Sequence, residues 1–95
     1  MRLDKYLKVS RLIKRRTVAK EVCDAGRIQI NGRPAKAGTN VEVGDKISVS
    51  YGGRLREAEV LIVAETMRAD QSDTMYRILS EKRLADSGEG REEDF

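Results

Sequence analysis

The chain has 95 residues, 39% hydrophobic and 37% charged, with a formal net charge of +3. That length suits one small domain with a modest core rather than two independent ones. No apolar run approaches the roughly 18 residues of a membrane helix, histidine is absent, and the one cysteine, Cys23, can neither form an internal disulfide nor build a zinc site alone.

The charge is polarised. Residues 1–36 carry eleven Lys/Arg against three Asp/Glu, a net +8, and the remainder carries eight against thirteen, a net −5. Such polarity points to a polyanion meeting the first third of the chain. A merely solvated helix face is the competing explanation, and eight basic residues against one acid in the first twenty argue against it. The opening MRLDKYLKVS has charge but no apolar stretch of the signal-peptide kind. A reducing cytosol is the compartment expected from the cysteine count.

In chain order, Arg2 to Ser10 reads as a short helix. At about 100° per residue, Leu3, Tyr6, Leu7 and Ser10 share one side while Arg2, Lys5 and Lys8 line another. Leu12 and Ile13 should be buried ahead of the basic cluster Lys14-Arg15-Arg16. Thr17 is the expected N-cap of a second helix, with Val18, Val22 and Ala25 at helical spacing and Ala19 and Cys23 beside them. Gly26 supplies a left-handed stop. Ile28-Gln29-Ile30 then alternates as a strand and Asn31-Gly32 is a strong hairpin turn.

From there the pattern is β. Arg33 to Ala37 suggests a short return strand, which Pro34 limits to an edge or a start. Gly38-Thr39-Asn40 and Val43-Gly44-Asp45 read as turns, Lys46 to Tyr51 as a strand and Gly52-Gly53 as a hairpin. Arg54 to Ala64 reads as a longer strand, Met67 to Thr74 as a polar loop, and Met75 to Leu79 as a last short strand or helical turn. Residues 1–84 are expected to form a single domain with its motif core at about 1–50. The acidic tail, residues 85–95, is expected to be disordered.

Little here suggests catalysis: there is no nucleophile elbow, phosphate-cradling glycine loop or metal-ligand cluster. Cys23, at helical spacing from Ala19, reads as a small buried hydrophobe, and Glu57 and Glu59 as solvated acids on one face of a strand. The basic residues are more informative. Arg2, Lys5 and Lys8 can follow a phosphate backbone along one helical side. Lys14, Arg15, Arg16, Thr17 and Lys20 cluster at a helix start, where backbone N–H groups add partial positive charge. Contacts of this sort are salt-sensitive and carry little sequence information. With few aromatic residues, a base-stacking platform is not expected, and shape readout of folded RNA fits better.

The run RLDKYL…SRLIKRRTVAKEVCDAGRIQING, with VEVGDKISV after it, resembles the αL RNA-binding motif, the module named after ribosomal protein S-four. The resemblance covers about residues 1–50. It implies an α+β fold: two short N-terminal helices packed on a small twisted antiparallel sheet. The chain is similar to the stand-alone members of that family, without an enzyme domain, and above all to those of bacterial ribosome-associated quality control.

The resemblance implies a non-catalytic, cofactor-free, monomeric protein of the cytoplasm that associates with ribosomes and not with membranes. Its implied partners are large-subunit rRNA and peptidyl-tRNA on obstructed large ribosomal subunits, together with a tailing factor of the RqcH/NEMF type that adds C-terminal alanine. The RNA-facing surface it implies comprises Arg2, Lys5, Lys8, Arg11, Lys14, Arg15, Arg16, Thr17 and Lys20, with Asp4 orienting a neighbouring arginine or serving as a plain helix-start acid. Two other roles stay open: a heat-shock-type rescue factor that acts without tailing, and a protein-interaction adaptor using the acidic C-terminal half.

Overall fold

The computed structural model describes residues 1–51 and 53–83, with the backbone alone for Arg16 and Arg83. The expectations for the tail and for Gly52 lie outside those residues. Two helices, α1 (Leu3–Ser10) and α2 (Arg16–Asp24), precede strands β1 (Ile28–Ile30), β2 (Arg33–Pro34), β3 (Lys46–Tyr51) and β4 (Arg54–Val60). A 3-10 helix (Ala69–Met75) and strand β5 (Tyr76–Arg83) follow. The strands form one antiparallel sheet in the order β2-β1-β3-β4-β5, so the fold is α+β as expected.

The α1 stripe folds as its periodicity dictates: Leu3, Tyr6, Leu7 and Ser10 are all buried. Its first amides do not face water, because Leu3 N–H donates to the Thr39 carbonyl (2.8 Å) and Asp4 N–H to that of Ala37 (3.1 Å). Helix α2 closes in a Schellman motif. The Arg27 N–H returns to the Val22 carbonyl and the Gly26 N–H to that of Cys23, with Gly26 at φ +70°. The Asn31-Gly32 turn has φ of +53° and +81°, the left-handed pair that a two-residue hairpin of the I′ type needs. The Asn31 side chain also accepts the Lys46 N–H and donates to Asp45, fixing the start of β3.

The helices cover one face of the sheet. Ile28 and Ile30 of β1, Ile47 and Val49 of β3, and Ala58 and Val60 of β4 meet the apolar sides of α1 and α2 and the buried Leu12 and Ile13. Each strand shows that face through every second residue. The other face is polar, with Ser48 opposite Glu57 and Glu59 opposite Arg77.

Several boundaries differ from expectation. Thr17 is not the N-cap of α2. Arg15, extended at φ −95° and ψ 124°, holds that position, and the Ala19 N–H bonds back to the Arg15 carbonyl, which closes the first turn two residues early. Ala25 is exposed rather than part of the apolar face. Strand β2 is only Arg33–Pro34, an edge as Pro34 requires. Strand β4 ends at Val60, because the Leu61 and Ile62 N–H groups both turn onto the Met75 carbonyl instead of continuing the ladder. The segment read as a polar loop contains the 3-10 helix, tightened by Ser72 donating to the Ala69 carbonyl and Thr74 to that of Gln71. Strand β5 runs to Arg83, with a bulge opposite Glu57/Ala58. Glu57 and Glu59 are not merely solvated, since Ser48 and Arg77 donate to them.

Candidate nucleic-acid interface

Arg2, Lys5, Lys8, Arg11, Lys14, Arg15, Thr17 and Lys20 are all exposed, while the residues interleaved with them (Leu3, Tyr6, Leu7, Leu12, Ile13, Val18, Ala19) are buried. The expectation for the Arg16 side chain lies outside what the structure describes; its backbone is the first residue of α2. Alternation of cations and core residues at helical spacing gives the fold no choice but to turn the charge outward. Burying an unpaired ammonium costs far more than the packing it displaces.

Two grooves organise these cations. One, of about 430 Å³, lies between α1 and α2, lined by Arg2, Lys5, Lys8 and Lys20 with the acids Asp4 and Asp24 and the small Ala19 and Cys23. The second, of about 570 Å³, is lined by Lys5, Lys8, Arg11 and Lys14 against Glu65 and Met67. Lys5 and Lys8 therefore form the ridge between them. Thr17 lies on another flank of α2, where it lines a shallow depression with Lys20, Glu21 and Asp24.

Acidic groups pair with the first two cations of the row. Arg2 donates from Nε and Nη2 to the two carboxylate oxygens of Asp4, at 3.1 and 3.3 Å. That forked pairing holds the Asp4 carboxyl below its ordinary range and the Arg2 guanidinium above its own. Lys5 pairs with Glu65 at 3.4 Å. Burial raises the pKa of the Cys23 thiol, which keeps it protonated and a poor nucleophile at neutral pH.

The loop joining the helices, residues 11–15, is fastened from several sides. Arg11 is left-handed at φ +59°, a conformation that needs support in a residue other than glycine. Leu12 N–H donates to the buried Ser10 hydroxyl (3.2 Å), and the Leu12 carbonyl accepts from Arg56 Nη1 (3.2 Å). Arg56 in turn pairs with Glu81, its cross-strand neighbour on β5. Sequence reasoning missed Arg56 and Glu81, since no periodicity signals a contact of Arg56 with Leu12 across 44 positions or with Glu81 across 25. Among the described residues, no group of three or more His, Cys, Asp or Glu side chains is placed to hold a metal ion. Among them, too, no helix is long and apolar enough to cross a membrane.

Comparison with known proteins agrees with this architecture. The S4 domain model matches residues 1–47. The RQC P-site tRNA stabilizing factor of Halalkalibacterium halodurans is 52% identical over 87 residues, 92% of this chain and 99% of that one. Its Bacillus subtilis counterpart is 51% identical over 86 residues, 90% of this chain and 100% of that one. Among solved structures, trimeric Vibrio cholerae Heat Shock Protein 15 superposes with a TM-score of 0.71 at 29% identity, covering 82% of this chain and 80% of that one. With half its residues shared with these relatives over nearly their whole length, the chain belongs to the S4-domain family of RQC P-site tRNA stabilizing factors.

Proposed function

We propose that the chain is a non-catalytic RNA-binding factor of ribosome-associated quality control, active in the cytoplasm on obstructed large ribosomal subunits. In this role it binds large-subunit rRNA and peptidyl-tRNA and supports C-terminal alanine tailing by an RqcH/NEMF-type partner. The binding surface is the cation row of Arg2, Lys5, Lys8, Arg11, Lys14, Arg15, Arg16 and Lys20, with the Thr17 hydroxyl as an added donor to phosphate. Residues 1–84 act as one RNA-binding domain.

The observation that carries the proposal is the outward cation row on α1, the loop and the start of α2, within which the sequence places one acid, Asp4, itself paired with Arg2, while Glu65 meets Lys5 from outside the row. Phosphates are the ligands such a row attracts. The P-site tRNA in the names of relatives 51 and 52% identical gives the polyanion its class. The test is co-sedimentation of the full chain with purified large ribosomal subunits. Lys14→Ala/Arg15→Ala should lose most binding while melting like the parent; retention of binding would overturn the surface.

A second role, rescue of stalled large subunits without tailing, draws on the likeness to Heat Shock Protein 15. It predicts that C-terminal alanine tails on stalled chains persist in a deletion strain, whereas the first role predicts that they disappear.

A further inference from the structure

An arginine that holds a backbone carbonyl of the interhelix loop comes from the sheet. Arg56 faces the helices from β4, where its neighbours in alternation, Ala58 and Val60, are buried in the core. Its side chain is only 20% exposed, so it reaches the Leu12 carbonyl from below the loop rather than from solvent. Glu81, directly across on β5, holds the Arg56 Nε and leaves Nη1 directed at Leu12. A guanidinium is planar, so fixing one edge on a carboxylate fixes the direction of the other donors.

What the clamp steadies is unusual. The loop begins with a left-handed Arg11 and carries three exposed cations, Arg11, Lys14 and Arg15, within five positions. Mutual repulsion and the cost of the Arg11 conformation both favour letting the loop open. Leu12 and Ile13 resist by burial, at 1% and 2% exposure, but burial of two side chains does not orient the peptide planes between them. A directed hydrogen bond to the Leu12 carbonyl does.

We infer that Arg56 and Glu81 are positioning residues for RNA binding: Glu81 aligns Arg56, and Arg56 pins the Leu12 carbonyl so that Arg11, Lys14 and Arg15 are presented together. The inference rests on the RNA-binding role proposed above and adds a contribution from the acidic half of the chain, which the charge distribution alone would count against binding.

That opposition gives a test by sign. Glu81→Gln removes a negative charge and, by long-range electrostatics alone, should strengthen attachment to a polyanion. Positioning demands the opposite. With purified large ribosomal subunits titrated at a series of salt concentrations, Glu81→Gln should weaken binding roughly threefold to tenfold, as for a member of a coupled hydrogen-bond network. It should also flatten the dependence of log K on log salt, because fewer phosphates are met at once. Arg56→Gln should weaken binding further, and Arg56→Lys should recover only part of the loss, since an ammonium cannot hold both acceptors in a plane.

In the free protein, Glu81→Gln should speed amide exchange at residues 11–15 while the strand amides of β1 and β3 keep their protection. Lys14→Ala/Arg15→Ala belongs in the same series. If that variant weakens binding while Glu81→Gln leaves it equal or tighter, the positioning role is wrong and the RNA-binding surface stands. If Lys14→Ala/Arg15→Ala itself binds like the parent, the surface falls and the clamp with it.

Discussion

The Tyr6 hydroxyl donates a 2.7 Å hydrogen bond to the carbonyl oxygen of Met75, joining the middle of α1 to the last residue of the 3-10 helix. Both residues are fully buried. The same carbonyl accepts the Leu61 N–H at 2.8 Å and the Ile62 N–H at 3.1 Å, so three segments meet on one oxygen. This decides the size of the first prediction. Tyr6→Phe leaves the carbonyl with two amide donors, so the loss is a net hydrogen bond of about 1 kcal/mol rather than the larger cost of an orphaned buried acceptor.

Tyr6→Ala opens a cavity as well and should cost about 3–5 kcal/mol. Urea midpoints at constant slope measure both. Burial raises the Tyr6 pKa above its ordinary value of 10.0. Its contribution is therefore complete below that pH and declines as pH rises beyond it, and Tyr6→Phe should lack this part of the alkaline loss.

The Arg2–Asp4 pair predicts the opposite pH behaviour. Hydrogen bonding from Arg2 lowers the Asp4 pKa below its ordinary 3.8, so the folded state favours the ionised carboxylate. The stabilisation is full above that value and is lost as pH falls from there through the lower folded-state value. The side chains are 65% and 42% exposed, so solvent screens the pair and the effect is small. Melting temperatures of the parent and Asp4→Asn, followed from neutral pH into acid, should converge at the acidic end. In high salt the gap should narrow at every pH.

Much of this architecture is legible in the residues, for a physical reason. The α1 stripe Leu3-Tyr6-Leu7-Ser10, the Gly26 stop and the Asn31-Gly32 turn each depend on contacts or dihedral angles within a few positions, and local patterns encode those directly. The outward cations are legible likewise, because helical spacing separates them from Leu3, Tyr6 and Val18. Non-local features were not. The end of β4 depends on Leu61 and Ile62 finding the distant Met75 carbonyl, although their side chains continue a strand-like apolar run. The 3-10 helix Ala69–Met75 is polar in composition and is ordered by Ser72 and Thr74 bonding back three residues, with the buried Met75 as its anchor. Thr17 has the side chain of a cap but does not serve as one, because burial of Val18 and Ala19, more than the identity of a capping side chain, sets where α2 begins. Arg56 reads as one more charge in a mixed strand and Glu81 lies past the last expected strand, until the fold brings both beneath the loop.

Gly26 predicts a purely conformational cost. At φ +70° an added Cβ would meet nothing within 4 Å, so no clash contributes. Gly26→Ala should then destabilise by about 1–2 kcal/mol, the strain of a left-handed residue with a side chain. Gly26→Asn should cost less, since asparagine tolerates that region. Chemical denaturation ranks the three. Equal costs for alanine and asparagine would mean that something other than backbone conformation dominates at this helix end.

Glu65 offers a charge test with the sign reversed from Glu81. Its carboxylate lies 3.4 Å from the Lys5 ammonium, with side chains 78% and 47% exposed, a pair worth little to stability in water. Glu65→Gln should leave the melting temperature within about a degree or two, as for other exposed ion pairs. It does remove an acid from the groove that Lys5, Lys8, Arg11 and Lys14 line. If RNA approaches that groove, binding to large ribosomal subunits should tighten about twofold to threefold at low ionic strength, and the gain should fade near 1 M salt, where the screening length falls to about 3 Å. Two acids, each replaced by its isosteric amide, should thus move affinity in opposite directions: Glu65 upward because its charge is all it contributes, Glu81 downward because it aims an arginine. Parallel titrations at two salt concentrations separate them, and a weaker complex for Glu65→Gln would show that RNA does not enter between α1 and the segment following β4.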